Sequence, residues 1–139
     1  MFPRGASAYR KSQVTTASPA QLVVQLYQGA ICFLERAIQA MEEGDLEQSH
    51  CALIRVQDIV TQLRSTLNRD VGPLALQLDS LYDYFWRQLV LANVCKEPAI
   101  AREVLDHLRQ LLETWQTVAE FSSRTAEVAA APILAGAQR

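Results

Sequence analysis

Apolar residues recur every three or four positions along most of the chain, which is the spacing of one face of an α-helix. Few segments alternate apolar and polar residues, so the pattern predicts no strand. The periodicity breaks at polar stretches containing Gly or Pro, at residues 42–45, 68–73 and 96–98. These breaks predict four helices, at about 19–41, 46–68, 74–95 and 98–121.

Each predicted helix has one apolar stripe that can face a shared core. The first carries Leu22, Leu26, Ala30, Phe33, Ala37 and Met41, widened by Val23, Tyr27, Leu34 and Ile38; the second carries Leu46, Leu53, Val56, Val60, Leu63 and Leu67. The third carries Leu74, Leu78, Leu81, Tyr82, Phe85, Leu89 and Ala92; the fourth carries Ala101, Leu105, Leu108, Leu112, Trp115 and Ala119.

Residues suited to helix starts stand at the predicted boundaries. Ser18, Pro19 and Gln21 form a capping-box pattern with proline at the first helical position. Gly44 suits the turn between the first two helices, and Asp45 can cap the second. We therefore expect an all-α fold, an antiparallel up-down four-helix bundle, because short loops make consecutive helices antiparallel. Residues 1–17 are interpreted as a mobile N-terminal arm, 18–121 as the bundle and 122–139 as a flexible C-terminal tail.

Charge and length narrow the classes of function. The 139 residues favour one domain, and 13 basic against 15 acidic residues give a net charge of -2. Such a balance makes nucleic acid an unexpected partner. The N-terminus does not resemble a secretory signal, and no run of about 18 apolar residues suits a bilayer. We therefore expect a cytoplasmic protein without membrane insertion.

The sequence offers little for catalysis or metal binding. Cys32, Cys51 and Cys95 are isolated and odd in number, and no C-x-x-C pair occurs. No phosphate-binding loop or hydrolase motif is present, so we expect no enzyme activity, no cofactor and no metal site. Asp79 and Asp83 share a helical face, and a salt bridge to Arg87 explains them better than a cation site.

His50 leaves one alternative open, because phosphotransfer domains are also four-helix bundles of this length. Such domains need an exposed histidine with a nearby lysine and a small residue one turn later. Here no lysine follows His50, and Ile54 is bulky where a small residue is wanted. The interpretation of His50 as a surface or boundary histidine is favoured, while a helical adaptor or oligomerisation module remains a further alternative.

The third helix has more apolar residues than one buried stripe requires. Leu76, Val90, Leu91 and Val94 fall on the half of the helix opposite its stripe, at 100° per residue. Ile54 lies off the second stripe, and Val24 and Ile31 lie off the first. Either these are scattered surface residues, or they form grooves that bind the amphipathic helices of a partner.

Two ordered motifs resemble one known family. Residues 9–29 read YRKSQVTTASPAQLVVQLYQG, with T-A-S-P at 16–19 and L-Y-Q-G at 26–29, and residues 81–87 read LYDYFWR. Together with E-G-D at 43–45 and Trp115, they resemble the flagellin-specific export chaperones of the FliS family over about residues 9–120. Gln28 stands where an acidic residue or asparagine is common, and Leu91 where glutamate is common.

The resemblance implies a cytoplasmic chaperone that binds the disordered C-terminal segment of flagellin. It implies that this binding prevents premature polymerisation and presents the subunit to a component of the flagellar type III export gate. It also implies that the arm can cover a groove when no client is bound, while homodimerisation stays open. The candidate partner-binding residues are Tyr9, Val14, Ile31, Ile54, Leu76, Tyr84, Val90 and Val94.

Overall fold

Four antiparallel helices make up the computed structural model, which describes residues 18–125. The helices are α1 (Pro19–Glu42), α2 (Leu46–Ser65), α3 (Pro73–Cys95) and α4 (Pro98–Thr125). Helix α1 packs against α2 and α4, and α3 packs less closely against the same two neighbours. The predicted all-α four-helix bundle is confirmed. The predicted arm, residues 1–17, and residues 126–139 of the predicted tail lie outside the described residues.

The helix boundaries follow the local capping chemistry. The Ser18 hydroxyl accepts a hydrogen bond from the Gln21 amide at 3.1 Å, and the Ser18 amide donates to Gln21 Oε1 at 2.9 Å. The Asp45 carboxylate accepts from the Gln48 amide at 3.1 Å, after Gly44 turns the chain at φ 77°. The capping residues expected for the first two helices are thus confirmed, because each satisfies amides that the helix leaves free.

Two helices end at residues other than those that the periodicity predicts. Helix α2 ends at Ser65 rather than at residue 68, where the Thr66 hydroxyl donates to the Leu63 carbonyl at 2.7 Å. Helix α4 continues to Thr125, beyond the predicted start of the tail at 122. Ser122 is buried there and extends the inward stripe of Trp115 and Ala119 by one more turn.

The core lies between the four inward stripes, with some corrections to their composition. On α1 the stripe centres on Val23, Tyr27 and Leu34, whereas Leu22, Leu26 and Phe33 are only partly buried. Leu46 and Leu74, which were predicted as core, are 54% and 51% exposed. Both lie in the first turn of their helix, where the bundle ends, and no facing side chain within residues 18–125 covers them. The largest fully buried side chains are Tyr27, Tyr82, Phe85, Leu34, Leu53, Leu63, Leu89, Leu108, Val23, Val56 and Val60.

A polar contact joins α1 and α3 through the middle of this core. The hydroxyls of Tyr27 and Tyr82 lie 2.9 Å apart, and both side chains are buried. The indole of Trp115 on α4 lies near the Tyr27 hydroxyl, and it lowers the pKa of Tyr27 against the larger effect of burial. Burial raises the pKa of Tyr27 to about 12 and raises that of Tyr82 as well. Helices α1 and α3 are therefore joined by a hydroxyl pair that water does not reach.

Candidate protein-binding surface

The outward side of α3 exposes large apolar side chains. Leu76, Leu91 and Val94 are 53%, 44% and 77% exposed, and Val90 beside them is partly buried. They lie opposite the buried Tyr82 and Phe85, as expected from 100° per residue. We call these four residues, Leu76, Val90, Leu91 and Val94, the α3 outer face. Val90, Leu91 and Val94 fall within two turns, so the apolar surface is continuous at the C-terminal half of the helix.

Helix α2 adds to this surface along its edge with α3. The His50 Nδ1 lies 2.8 Å from Asn93 Nδ2, and the Arg64 Nε lies 2.7 Å from Asp79 Oδ1. These two contacts fix an antiparallel register in which Ile54 of α2 lies level with Val90 of α3. Ile54 is exposed, and its predicted position off the α2 stripe places it on the edge that faces α3.

A cluster of ion pairs joins α2 and α3 at the other end of the edge between these two helices. Arg64 reaches both Asp79 (2.7 Å) and Asp83 (3.1 Å), while Arg69 binds Asp79 at 2.7 Å. The expected pair of Arg87 with Asp83 is present at 2.6 Å. Hydrogen bonds from Arg64 and Arg69 lower the pKa of Asp79 to about 2. The two aspartates thus tie α3 to α2, and residues 18–125 hold no cluster of ligands suited to a metal.

Tyr84 lies on the opposite edge of α3, next to α4. Its hydroxyl donates to Glu103 Oε1 at 2.5 Å, and this hydrogen bond raises the pKa of the phenol. The ring remains 38% exposed. Tyr84 therefore borders the α3 outer face from the α4 side, as Ile54 borders it from the α2 side.

Of the remaining predicted residues, Ile31 does not join this surface. Ile31 is partly buried on α1, which lies across the bundle from α3, and it packs against the core. Tyr9 and Val14 lie outside the described residues. The candidate site therefore contains Ile54, Leu76, Tyr84, Val90 and Val94 of the predicted set, without Ile31.

Trp86 belongs to the same region but was not among the predicted site residues. It is 40% exposed on α3, and helical geometry places it on the α2 side of the outer face. Its position on the flank of α3 follows from the periodicity. What the sequence could not show is that α2 leaves it uncovered.

The surface offers shape and apolar area, with no group arranged for chemistry. His50, on which the phosphotransfer alternative depends, is exposed and contacts Asn93 across the α2–α3 edge. None of the four described helices combines the length and hydropathy that crossing a bilayer requires. An exposed apolar strip beside an interhelical edge is typical of sites that bind a helix from another chain.

Comparison with known proteins finds one family. Residues 3–122 match the family model described as flagellar protein FliS. The chain is 34% identical to the flagellar secretion chaperone FliS of Bacillus subtilis, over 79% of this chain and 82% of that protein. It is 34% identical to the protein of the same name from Vibrio cholerae, over 86% and 92% of the two chains. The corresponding Salmonella typhimurium chaperone is 33% identical, over 81% and 85%.

Proposed function

Because the chain belongs to the FliS family of flagellar secretion chaperones, we propose that its client is flagellin and that it binds the flagellin C-terminal segment. The family is one of chaperones rather than enzymes. In the proposed function the chaperone works in the cytoplasm, where it keeps flagellin subunits from polymerising before export. It then presents them to a component of the flagellar type III export gate.

The observation that carries this proposal is the exposed α3 outer face with Ile54 beside it. A disordered segment that folds on binding loses about 2–5 kcal/mol to ordering, so its partner must supply apolar contact to offset that loss. Fully burying one Val or Leu side chain contributes about 1.5–3 kcal/mol. Three or four such contacts on α3 and α2 are of the size needed to offset this ordering cost, and forming them requires no chemistry or nucleotide hydrolysis.

Binding of this kind explains how a chaperone prevents polymerisation. A segment that forms subunit contacts in a filament has an apolar face, and two free copies of that face associate with each other. When the α3 outer face covers it, the segment has no free surface for another subunit. Release needs only competition for the same apolar area, so the complex can be undone at the export apparatus without covalent change.

The ion pairs at the N-terminal half of α3 support a preferred position for the client. Arg64 and Arg69 neutralise Asp79 and Asp83 there, and the apolar residues concentrate near Val90 and Val94. We place the apolar anchors of the client at that C-terminal half.

The arm is proposed to cover part of this surface when no client is bound, with Tyr9 and Val14 as its apolar contacts. Both residues lie outside the described range, so this part of the proposal depends on the family resemblance and on their apolar character alone.

Complex formation with purified flagellin tests the proposed function. Size-exclusion chromatography with light scattering should show a 1:1 complex with full-length flagellin. Flagellin that lacks its C-terminal segment should elute separately from the chaperone. Equal binding of the truncated flagellin, or no complex with the full-length protein, would overturn the proposal.

A further inference from the structure

A second groove runs between α1 and α2, on a different side of the bundle from the α3 outer face. Its α1 wall repeats at intervals of four and three residues, which keeps the wall on one side of the helix. We call it the α1–α2 groove, lined by Leu22, Leu26, Gly29, Phe33 and Arg36 of α1 and by Arg55, Ile59 and Thr66 of α2.

Three contacts fix which residues face each other across the groove. Leu22 and Thr66 line one cavity at its first end. In the middle, a Cβ built on Gly29 would lie 3.6 Å from Ile59 Cδ1. At the second end, the Arg55 guanidinium lies over the Phe33 ring, 5.3 Å from its centroid. Because α1 rises about 1.5 Å per residue, Leu22 and Phe33, which are 11 positions apart, are separated by about 16 Å along the helix.

The first end of the groove is apolar. A cavity of about 330 Å³ lies there, lined by Pro19, Leu22, Val23, Gln25, Leu26 and Thr66. Leu22 and Leu26 are partly buried and still face this space. A cavity of that size holds one or two aliphatic side chains of a partner.

The second end is cationic. The guanidiniums of Arg36 and Arg55 each lie 5.3 Å from the centroid of the same ring, Phe33. Elsewhere on the bundle, Arg64, Arg69, Arg87, Arg102 and Arg109 each lie at ion-pair distance from an Asp or Glu oxygen. Within residues 18–125, neither Arg36 nor Arg55 forms such a pair. The positive charges of Arg36 and Arg55 therefore lie close together, and both contact the Phe33 ring.

We infer that the α1–α2 groove is a second docking surface, and that it binds an acidic amphipathic helix from another protein. Aliphatic residues of that helix fill the cavity at Leu22 and Leu26, and one or two carboxylates about three turns away pair with Arg36 and Arg55. Guanidinium groups favour carboxylates because their fork of donors binds both oxygens. A carboxylate also removes the repulsion between the two arginines.

Charge argues against the chain's own arm as the occupant. Residues 1–17 contain Arg4, Arg10 and Lys11 and no acidic residue, so the arm would add positive charge beside Arg36 and Arg55. An acidic segment from another protein has the complementary sign. This inference does not depend on the proposed function, since the groove and the α3 outer face share no residue.

Selection from a random peptide library displayed on phage tests the inference. The full-length chain is immobilised, and peptides of about 16 residues are used, long enough to span the groove as a helix. We expect enriched peptides to combine aliphatic residues spaced three or four apart with Asp or Glu about three turns away. Enrichment of peptides without acidic residues, or no enrichment at all, would contradict the inference.

Synthetic copies of the enriched peptides then identify the groove. Binding measured by fluorescence anisotropy should weaken roughly tenfold or more with either Arg36→Ala or Arg55→Ala, because each removes a charge-assisted hydrogen bond. Arg124→Ala removes an exposed arginine of α4 outside the groove and serves as the matched control. Val94→Ser changes only the α3 outer face. Affinities insensitive to both groove arginines, or reduced equally by Arg124→Ala or Val94→Ser, would overturn the assignment.

Discussion

The hydroxyls of Tyr27 on α1 and Tyr82 on α3 meet at 2.9 Å in the centre of the bundle. Both residues belong to the motifs that carry the family resemblance, L-Y-Q-G and L-Y-D-Y. A third residue of the resemblance, Trp115 of α4, is buried near Tyr27. These motif residues are buried, and the tyrosine pair joins α1 to α3. In T-A-S-P, Ser18 caps the start of α1.

Removing either tyrosine hydroxyl alone should destabilise the bundle by more than half of the loss caused by removing both hydroxyls together. Tyr82→Phe leaves the buried Tyr27 hydroxyl with one partner fewer, at a cost of about 1–3 kcal/mol. The double variant with Tyr27→Phe should lose less than the sum of the single variants, because the two groups satisfy each other. Urea denaturation of the four proteins measures this coupling, and strictly additive losses would contradict it.

The tyrosine pair also predicts a loss of stability at alkaline pH. Burial raises the pKa of Tyr27 from 10.0 to about 12, so the folded state keeps its proton where the unfolded state loses it. Stability is then complete below pH 10.0 and falls as pH rises towards about 12. Thermal denaturation across this range should show a steep fall for the native chain. The Tyr27→Phe, Tyr82→Phe double variant should show a shallower one; parallel curves would exclude the pair as the cause.

The ion pairs of Asp79 should stabilise the α2–α3 edge at neutral pH. The pKa of Asp79 is lowered from 3.8 to about 2, so its contribution is present above pH 3.8 and is lost as pH falls towards 2. Because the arginines are partly exposed and screened by water, Asp79→Asn should cost only about 1 kcal/mol at pH 7.

Asp79→Asn should change the free energy of unfolding little at pH 2, where the Asp79 carboxylate takes up a proton. It should also change it little in concentrated salt, which screens the ion pairs. Asp58→Asn changes an exposed carboxylate on α2 that forms no ion pair within the described residues, and it should have little effect at either pH. A loss for Asp79→Asn that stays the same at pH 7 and pH 2 would show that its ion pairs are not the cause.

Deleting residues 1–15 should speed the association of a flagellin C-terminal peptide if the arm covers the client surface. Stopped-flow fluorescence gives the rate directly. Deletion of residues 128–139 provides a truncation control at the other terminus and should leave the rate unchanged. An on-rate that the arm deletion does not alter would count against self-capping.

Sequence patterns predicted the features that depend only on residues close together in one helix. The capping box of Ser18 and Gln21 and the inward positions of Tyr82 and Phe85 follow from spacing along one helix. The ion pair of Arg64 with Asp79 does not, because it joins two helices whose register no local pattern gives. The stripe of α1 was predicted too far towards Leu22 and Phe33 for a related reason. Apolar residues cover more than a third of the circumference of α1, and the packing of the neighbouring helices determines which of them become buried.

The prediction of the surface had the same limit. Periodicity identified the α3 outer face, since Leu76, Val90 and Val94 fall opposite the buried stripe whatever the neighbours are. It could not show that Ile54 faces α3 whereas Ile31 faces α4. It also gave no sign that Arg36 and Arg55 share Phe33, because those residues come together only once α1 and α2 are paired.

The most direct test of the account is the affinity of flagellin for Val94→Ser, measured by isothermal titration calorimetry against a matched surface variant. Val94 is 77% exposed at the C-terminal end of the α3 outer face, where the client anchors are placed, and Leu74 is 51% exposed at the other end of the same helix, on its α4 side. The account predicts that Val94→Ser weakens binding by roughly tenfold or more, whereas Leu74→Ser changes it by less than about twofold. Unchanged affinity for Val94→Ser, with flagellin still bound, would show that the client does not use the α3 outer face.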